Sequence, residues 1–247
     1  MDNFDRYFEK AMGYLEQTKN SQMEAVDKAS QMMIESMNHN GIIQMIGVDH
    51  GRSMGLELGH RAGGLVPLHD FRSEDLAVKG LITSEQFQPE YFNNHPEFAS
   101  LWLDYYPIDP ADLFILTSRT GTEPVLTEMA RLIHERGHQI IVVISRTAAQ
   151  QAKNEDPEAA NLIDFADLVL DTGTPEVDGL VEMKNGTLTG QLNTLSNDIL
   201  AQLITARTYQ SLVDSGQECP LLQSVNIKGA DEHNAIIKAP YSTRCIH

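Results

Sequence analysis

The chain has 247 residues, 41% of them hydrophobic, and a formal net charge of −17. This length allows one large α/β domain or two small domains, and the composition is that of an ordinary globular protein. The negative charge would repel nucleic-acid backbone and anionic membrane, so we expect neither as a partner. An anionic ligand would need a local positive field from helix N-termini or a few basic side chains.

Cysteine content and the N-terminal sequence predict a cytoplasmic protein. Cys219 and Cys245 form neither a disulfide framework nor a zinc pattern, and free thiols suit a reducing compartment. The first ten residues lack the basic start and apolar run of a signal peptide. No metal-ligand spacing such as H-E-x-x-H occurs, so we expect no metal and no other cofactor.

Residues 1–40 predict a helical extension. Apolar side chains recur at helical spacing from Phe4 to Met37, and Asn20-Ser21 is a candidate break between two helices. A methionine-rich stripe of this kind is typical of a core or of an interface between subunits. We therefore expect a homodimer or homotetramer.

Residues 41–215 alternate short apolar runs with helical segments. The predicted strands are Ile42–Ile46, Leu65–Leu68, Asp112–Thr117, His138–Ile144 and Ala166–Leu170. The predicted helices are His50–Arg61, Pro96–Tyr106, Gly121–Arg136 and Asn193–Ser215. Residues 70–96 are polar and irregular, a weaker strand pair is expected at 180–183 and 187–191, and 216–247 form a mixed tail. This alternation predicts one domain over 1–247, a three-layer α/β/α sandwich with a five-stranded, mostly parallel sheet.

A cluster of hydroxyl side chains follows the third predicted strand and precedes a helix. Its members are Thr117, Ser118, Thr120 and Thr122. Ligands of open α/β sheets bind beyond the carboxyl ends of strands, and helix N-termini suit phosphate. Gly121 would let the backbone approach a ligand, and Arg119 could add positive charge. Helix capping would account for one such hydroxyl but not for four, so the cluster predicts a ligand site.

The stretch Phe114–Ser145 resembles the sugar isomerase (SIS) domain pattern of strand, Ser-x-Ser-Gly-x-x-Pro, helix, strand and Ser. The likeness extends to a branch of small SIS proteins akin to phosphoheptose isomerases. The further matching segments are 61–67, 166–171, 193–194 and 224–234. These segments occur in the same order as in that branch, and the resemblance they carry covers most of the chain. The resemblance implies a protein that binds a sugar phosphate.

The resemblance also implies a set of binding residues in two loops. Ser118 and Thr120 would hold the phosphate, with Arg119, Gly121 and Thr122 beside them. The other contributors would be Gly47, Asp49, Arg52 and Ser53 of the loop after the first strand, and Thr194 at a helix start.

The first loop departs from the family pattern. Relatives read Gly-x-Gly-His-Ser, whereas this chain reads Gly-Val-Asp-His-Gly-Arg-Ser from Gly47 to Ser53. Asp49 replaces a glycine and would repel phosphate unless Arg52 compensates, and Ser53 could supply the missing hydroxyl. Either the sugar phosphate binds in another orientation or the substrate is not a phosphate ester.

Glu57 keeps the place of a family carboxylate and is the candidate base for aldose–ketose isomerisation through an enediol. His50 and His233 are candidates for opening the sugar ring by moving a proton at O5. The alternative interpretations are an exposed helix carboxylate for Glu57 and a solvated tail for His233.

Three other functions compete with isomerisation. Related folds include lyases, deglycases and deaminases that use the same base at C2 of the sugar. A module that binds a sugar phosphate without turnover is favoured by the altered first loop. A nucleotide-binding Rossmann domain is disfavoured because Asp49 stands where a glycine must admit the pyrophosphate.

Overall fold

A central parallel sheet organises the chain, whose residues 2–245 are described by a computed structural model. The strands, in the spatial order β2-β1-β3-β4-β5, are β1 Ile43–Gly47, β2 Leu68–Asp70, β3 Leu113–Thr117, β4 Ile140–Ile144 and β5 Leu168–Asp171. Each neighbouring pair is parallel. Every residue of β1, β3 and β4 is buried, as expected for apolar runs covered on both faces.

Helices cover both faces of this sheet, which confirms the predicted three-layer α/β/α class. One face carries α1 Asn3–Asn38, α2 Ser53–Leu58 and α8 Asn193–Asp214. The other face carries α3 Ser73–Val78, α4 Pro89–Phe92, α5 Phe98–Tyr105, α6 Pro124–Glu135 and α7 Arg146–Glu155. Val26, Ala29 and Met33 of α1 are buried against the sheet, so the N-terminal helix forms part of a layer.

The first helix is continuous, and the predicted break at Asn20-Ser21 is wrong. The Thr18 hydroxyl donates to the carbonyl of Thr172 at 2.9 Å, and the side-chain oxygen of Gln22 accepts from the backbone N–H of Asp171 at 2.9 Å. These bonds fasten the middle of α1 to the end of β5. Tertiary contacts therefore override the weak local tendency to end the helix.

The second strand lies about three residues further along than predicted, at Leu68–Asp70 rather than Leu65–Leu68. Leu65 pairs instead with Leu221 of the tail in an isolated antiparallel bridge. The backbone groups of this segment are thus shared between the sheet and the tail.

The remaining elements are short. The strands β6 Val181–Glu182 and β7 Leu188–Thr189 form the expected weak antiparallel pair. The described part of the tail, up to residue 245, contains α9 Ala230–Lys238 and a short 3₁₀ helix at Ala239–Tyr241. The segment predicted to be irregular, 70–96, holds α3 and α4. Within residues 2–245, no helix is both long and apolar enough to cross a membrane.

Candidate functional site

A cavity of about 420 Å³ opens where the loops after β1 and β3 meet the start of α8. Its volume lies within the range of small-molecule sites. The lining residues are Val48, Asp49, His50, Gly51, Ser118, Arg119, Glu123, Asp178, Gln191, Asn193 and Thr194. The structure thus brings together five of the predicted site residues from three separate segments: Asp49, His50, Ser118, Arg119 and Thr194.

The first loop leaves β1 at Gly47 and turns sharply into a short 3₁₀ helix at Asp49–Arg52. Asp49 has a φ of +50°, a left-handed conformation that costs most non-glycine residues energy. Its Oδ2 accepts a hydrogen bond from Asn93 Nδ2 at 2.8 Å. A glycine, which the resemblance leads us to expect here, would adopt the same backbone turn without that cost.

Close packing joins the first loop to β3. The Thr117 hydroxyl donates to the carbonyl of Gly51 at 2.8 Å. A Cβ at Gly47 would lie 2.5 Å from Thr117 Oγ1 and 2.9 Å from the backbone carbon of Gly51. Gly47 therefore contributes to the site by allowing this approach.

The second loop is held by a chain of hydrogen bonds through Ser118. Its Oγ accepts from the backbone N–H of Gly121 at 2.7 Å and donates to Glu123 Oε2 at 2.6 Å. Gly121 has a φ of +74°, which a side chain would strain. The hydroxyls of Thr120 and Thr122 lie 2.9 Å apart, and neither residue lines the cavity.

Arg119 and Asp178 also line the cavity. Arg119 Nη1 donates to the carbonyl of Glu176 at 2.6 Å. The carboxylate of Asp178 accepts from the backbone N–H groups of Leu192 at 2.7 Å and Asn193 at 3.3 Å, at the start of α8. Thr194 follows in the first turn of that helix.

The sequence profile of the SIS domain matches residues 6–145, more than half of the chain. The chain belongs to the SIS domain family. It is 27% identical over 245 residues to a UPF0309 protein of Listeria monocytogenes, covering 98% of both chains. A UPF0309 protein of Geobacillus kaustophilus is 27% identical over 232 residues, which is 93% of this chain and 90% of that protein.

Solved structures share the SIS fold. The phosphoheptose isomerase GmhA of Neisseria gonorrhoeae aligns with a TM-score of 0.53 and 16% identity, covering 84% of this chain and 95% of that one. A putative phosphosugar isomerase involved in capsule formation from Bacteroides fragilis aligns with a TM-score of 0.54 and 16% identity, covering 83% of this chain and 90% of that one. The NanR protein of Vibrio vulnificus, complexed with ManNAc-6P, aligns with a TM-score of 0.54 and 12% identity, covering 97% of this chain and 69% of that one.

Arg52 turns away from the SIS cavity. It pairs with Glu74, and its Nη2 lies 3.9 Å from Asp70 Oδ2. It lines a neighbouring cavity of about 250 Å³ on the other side of the first loop. Burial raises the pKa of Asp70 to about 6, although Arg52 and Arg72 act against the shift. Arg52 therefore lines only the neighbouring cavity, whereas Asp49 lines both.

Ser53 and Glu57 lie on the face of α2 that packs against α8. Glu57 forms an ion pair with Arg61 and accepts a hydrogen bond from Gln202 Nε2 at 2.8 Å. Ser53 lies beside Asp198, whose pKa is raised by burial. Neither Ser53 nor Glu57 lines the first cavity in a single chain.

His233 lies in the tail, in the wall of a separate cavity of about 1020 Å³ between the end of α8 and α9. Its Nε2 is 3.4 Å from the carbonyl oxygen of Leu221. Within one chain the structure does not bring His233 to His50 or Ser118.

Four polar lining residues were missed by sequence reasoning: Glu123, Asp178, Gln191 and Asn193. Glu123 stands directly after the recognised hydroxyl cluster, at the N-cap of α6, and could have been found there. Asp178 and Gln191 flank the β6–β7 pair, where local sequence gave no signal. Among residues 2–245, no group of three or more His, Cys, Asp or Glu side chains is arranged to hold a metal ion.

Proposed function

We propose that this SIS domain binds a sugar or sugar phosphate in the cavity beyond β1 and β3 and interconverts its aldose and ketose forms. The observation that carries the proposal is the meeting of Asp49 and His50 with Ser118 and Arg119 around one cavity of suitable size. Membership of the SIS family and the phosphosugar isomerases among the structural neighbours support it.

The proposed reaction moves one proton between adjacent carbons. A base removes the C2 proton of the open-chain aldose, an enediol forms, and the proton is returned to C1 while a hydroxyl proton shifts from O2 to O1. No oxidant or reductant is consumed. His50, in the cavity wall, is the candidate for opening the ring, and Glu57 is the candidate base.

Glu57 and His233 can serve this cavity only if a second copy presents them. We therefore propose a homodimer or homotetramer with sites shared between subunits. Large apolar side chains exposed at both ends of the chain support self-association. They include Phe4 (77% exposed), Phe8 (59%) and Ile236 (73%).

Isotope exchange tests the reaction directly. Wild-type protein is incubated in D₂O with a panel of aldoses, ketoses and their phosphates, and deuterium at C2 is followed by NMR. Glu57→Gln should slow exchange at least about 100-fold because it removes the base. Glu24→Gln is the matched control, since Glu24 also pairs with a basic residue four positions on, Lys28.

Mixing two inactive variants tests the shared site. Glu57→Gln and Ser118→Ala damage different halves of it. If they meet across an interface, an equal mixture of the two dissociated and reassociated variants should recover about a quarter of wild-type exchange in a dimer. A sedimentation profile of monomers at micromolar concentration would contradict this arrangement.

A second candidate is a sensor that binds the sugar without turnover. Two observations favour it: Glu57 is engaged by Arg61 and Gln202, and Asp49 replaces the family glycine. One structural neighbour, the NanR protein, is described in complex with ManNAc-6P. Saturable binding with no C2 exchange across the panel would select the sensor over the isomerase.

A further inference from the structure

The outward face of α8 carries a regular row of exposed side chains, which we call the α8 seam. Its members are Leu195, Ile199, Gln202, Ala206, Tyr209 and Val213. They recur at alternating steps of four and three residues, so at 3.6 residues per turn they share an arc of about 80°. The residues that α8 buries, among them Leu200, Ala201 and Ile204, lie on the opposite side. The helix thus packs on its own chain with one face and leaves the seam in solvent.

The composition of the seam fits an interface between helices. Its four large apolar members are between 36% and 45% exposed, and none of its six positions is charged. Alternating steps of four and three residues let the side chains of one helix insert between those of another. Two copies that each carry a net charge of −17 repel one another. An uncharged surface is therefore where they can meet with the least opposition.

The order of its residues makes the seam complementary to itself. Each seam position lies as far before residue 204 as another lies after it. When a second α8 runs antiparallel, the first, second and third seam residues face the sixth, fifth and fourth of the second copy. The long Gln202 then meets the small Ala206, and Ile199 meets the ring of Tyr209. A two-fold axis repeats each of these contacts, as in an isologous dimer.

The two ends of the seam border two different cavities. Thr194, directly before the first seam residue Leu195, lines the candidate cavity. Val213, the last seam residue, lines the cavity of the tail together with His233. Within one chain the two ends of the seam are about 27 Å apart along the helix. Antiparallel pairing places Val213 of the second copy against Leu195 and so removes that separation.

We propose that two copies of this chain pack antiparallel through the α8 seam, and that the pairing brings His233 of each copy to the candidate cavity of the other. The role of His233 rests on the proposed function, whereas the pairing itself stands on the seam alone. The same contact accounts for the distance between His233 and the candidate cavity in a single chain.

Disulfide crosslinking tests the pairing. Leu195→Cys and Val213→Cys are combined in one chain that also carries Cys219→Ser, which removes the partly exposed native thiol. A mild oxidant should convert most of this protein to a reducible covalent dimer. A disulfide within one chain is excluded, because it needs Cα atoms within about 7 Å and these positions are about 27 Å apart. Leu195→Cys without Val213→Cys is the matched control, and a dimer formed by it would show parallel pairing and overturn the inference.

Ile199→Asp tests the seam by placing a charge in it. We expect the dimer to weaken at least about 100-fold in sedimentation, because an unpaired carboxylate would be buried. Val78→Asp is the matched control, since Val78 is 83% exposed on α3, beyond the other face of the sheet. It should leave the dimer intact. Urea unfolding of both variants confirms that each chain still folds.

Mixing His233→Ala with Ser118→Ala tests the delivery of His233. The mixture should recover exchange at C2, and Ile199→Asp added to both variants should abolish the recovery. Recovery that persists with Ile199→Asp would overturn the delivery. A dimer that resists Ile199→Asp and forms no disulfide between positions 195 and 213 would overturn the inference and leave the proposed function standing. That disulfide without C2 exchange on any sugar would keep the pairing and overturn the proposed isomerisation.

Discussion

The loops after β1 and β3 carry the two halves of the candidate site, but they use their side chains differently. In the loop after β3, Ser118, Gly121 and Glu123 bind one another and form one compact wall. In the loop after β1, Asp49 lies between the candidate cavity and its neighbour and accepts a hydrogen bond from Asn93, while Arg52 turns to Glu74. Matching residue positions along a family pattern therefore do not guarantee matching partners.

The backbones of the two loops make a second contrast. Each contains one residue in the left-handed region: Gly121 with φ +74° and Asp49 with φ +50°. Glycine adopts this conformation without penalty, whereas aspartate tolerates it with some cost. Substitutions at these two positions should therefore have very different effects.

Gly121→Ala should cause the largest loss of stability, about 4 kcal/mol, from left-handed strain and overpacking together. The new Cβ would lie 2.5 Å from Asn161 Oδ1 and 2.6 Å from Ile144 Cδ1. Gly137→Ala is the matched control, because φ is +82° there and a Cβ would meet no described atom within 4 Å beyond its chain neighbours. It should cost only about 1 to 2 kcal/mol, the strain alone. Urea unfolding of both variants measures the difference, and equal losses would contradict the close contact at Gly121.

The same contrast shows what the sequence could predict. Strands β1, β3, β4 and β5 lie within about two residues of their predicted positions, because buried apolar runs bounded by polar residues leave few alternatives. The location of the hydroxyl cluster beyond β3 followed from the same logic. These features depend on local pattern.

Features that depend on distant partners could not be predicted. The continuity of α1 rests on Thr18 meeting Thr172, which is 154 residues away in the chain. The orientation of Arg52 depends on Glu74, and that of Glu57 on Gln202 of α8. Asp178 enters the site because it binds the first backbone amides of α8. No local spacing encodes such pairs.

The buried carboxyl of Asp70, which lies beside Arg52, should give a pH-dependent effect of about 3 kcal/mol. Burial raises its pKa from 3.8 to about 6, and Oδ1 has no hydrogen-bond partner among the described residues. Between these values the folded state binds more protons than the unfolded state, so this carboxyl lowers stability as pH rises. Two pKa units correspond to roughly 3 kcal/mol.

Asp70→Asn should remove this contribution. The free energy of unfolding of wild type, relative to the variant, should fall as pH rises from about 4 to about 7 and then level off. Urea unfolding at several pH values measures that difference, in which the titration of other carboxyls largely cancels. A difference that is constant with pH would show that Asp70 ionises as freely in the folded protein as in the unfolded chain.

The smallest effect should come from Asp49, where strain and a hydrogen bond oppose each other. Asp49→Ala keeps the left-handed backbone and loses the bond from Asn93, so we expect a loss of about 1 to 2 kcal/mol. Asp49→Gly loses the same bond but relieves the strain, so its stability should stay within about 1 kcal/mol of wild type. Urea unfolding at pH 7 distinguishes the two variants. If the alanine and glycine variants proved equally stable, the backbone of the first loop would carry no strain at Asp49. The contrast with Gly121 would then be a difference in side-chain packing alone.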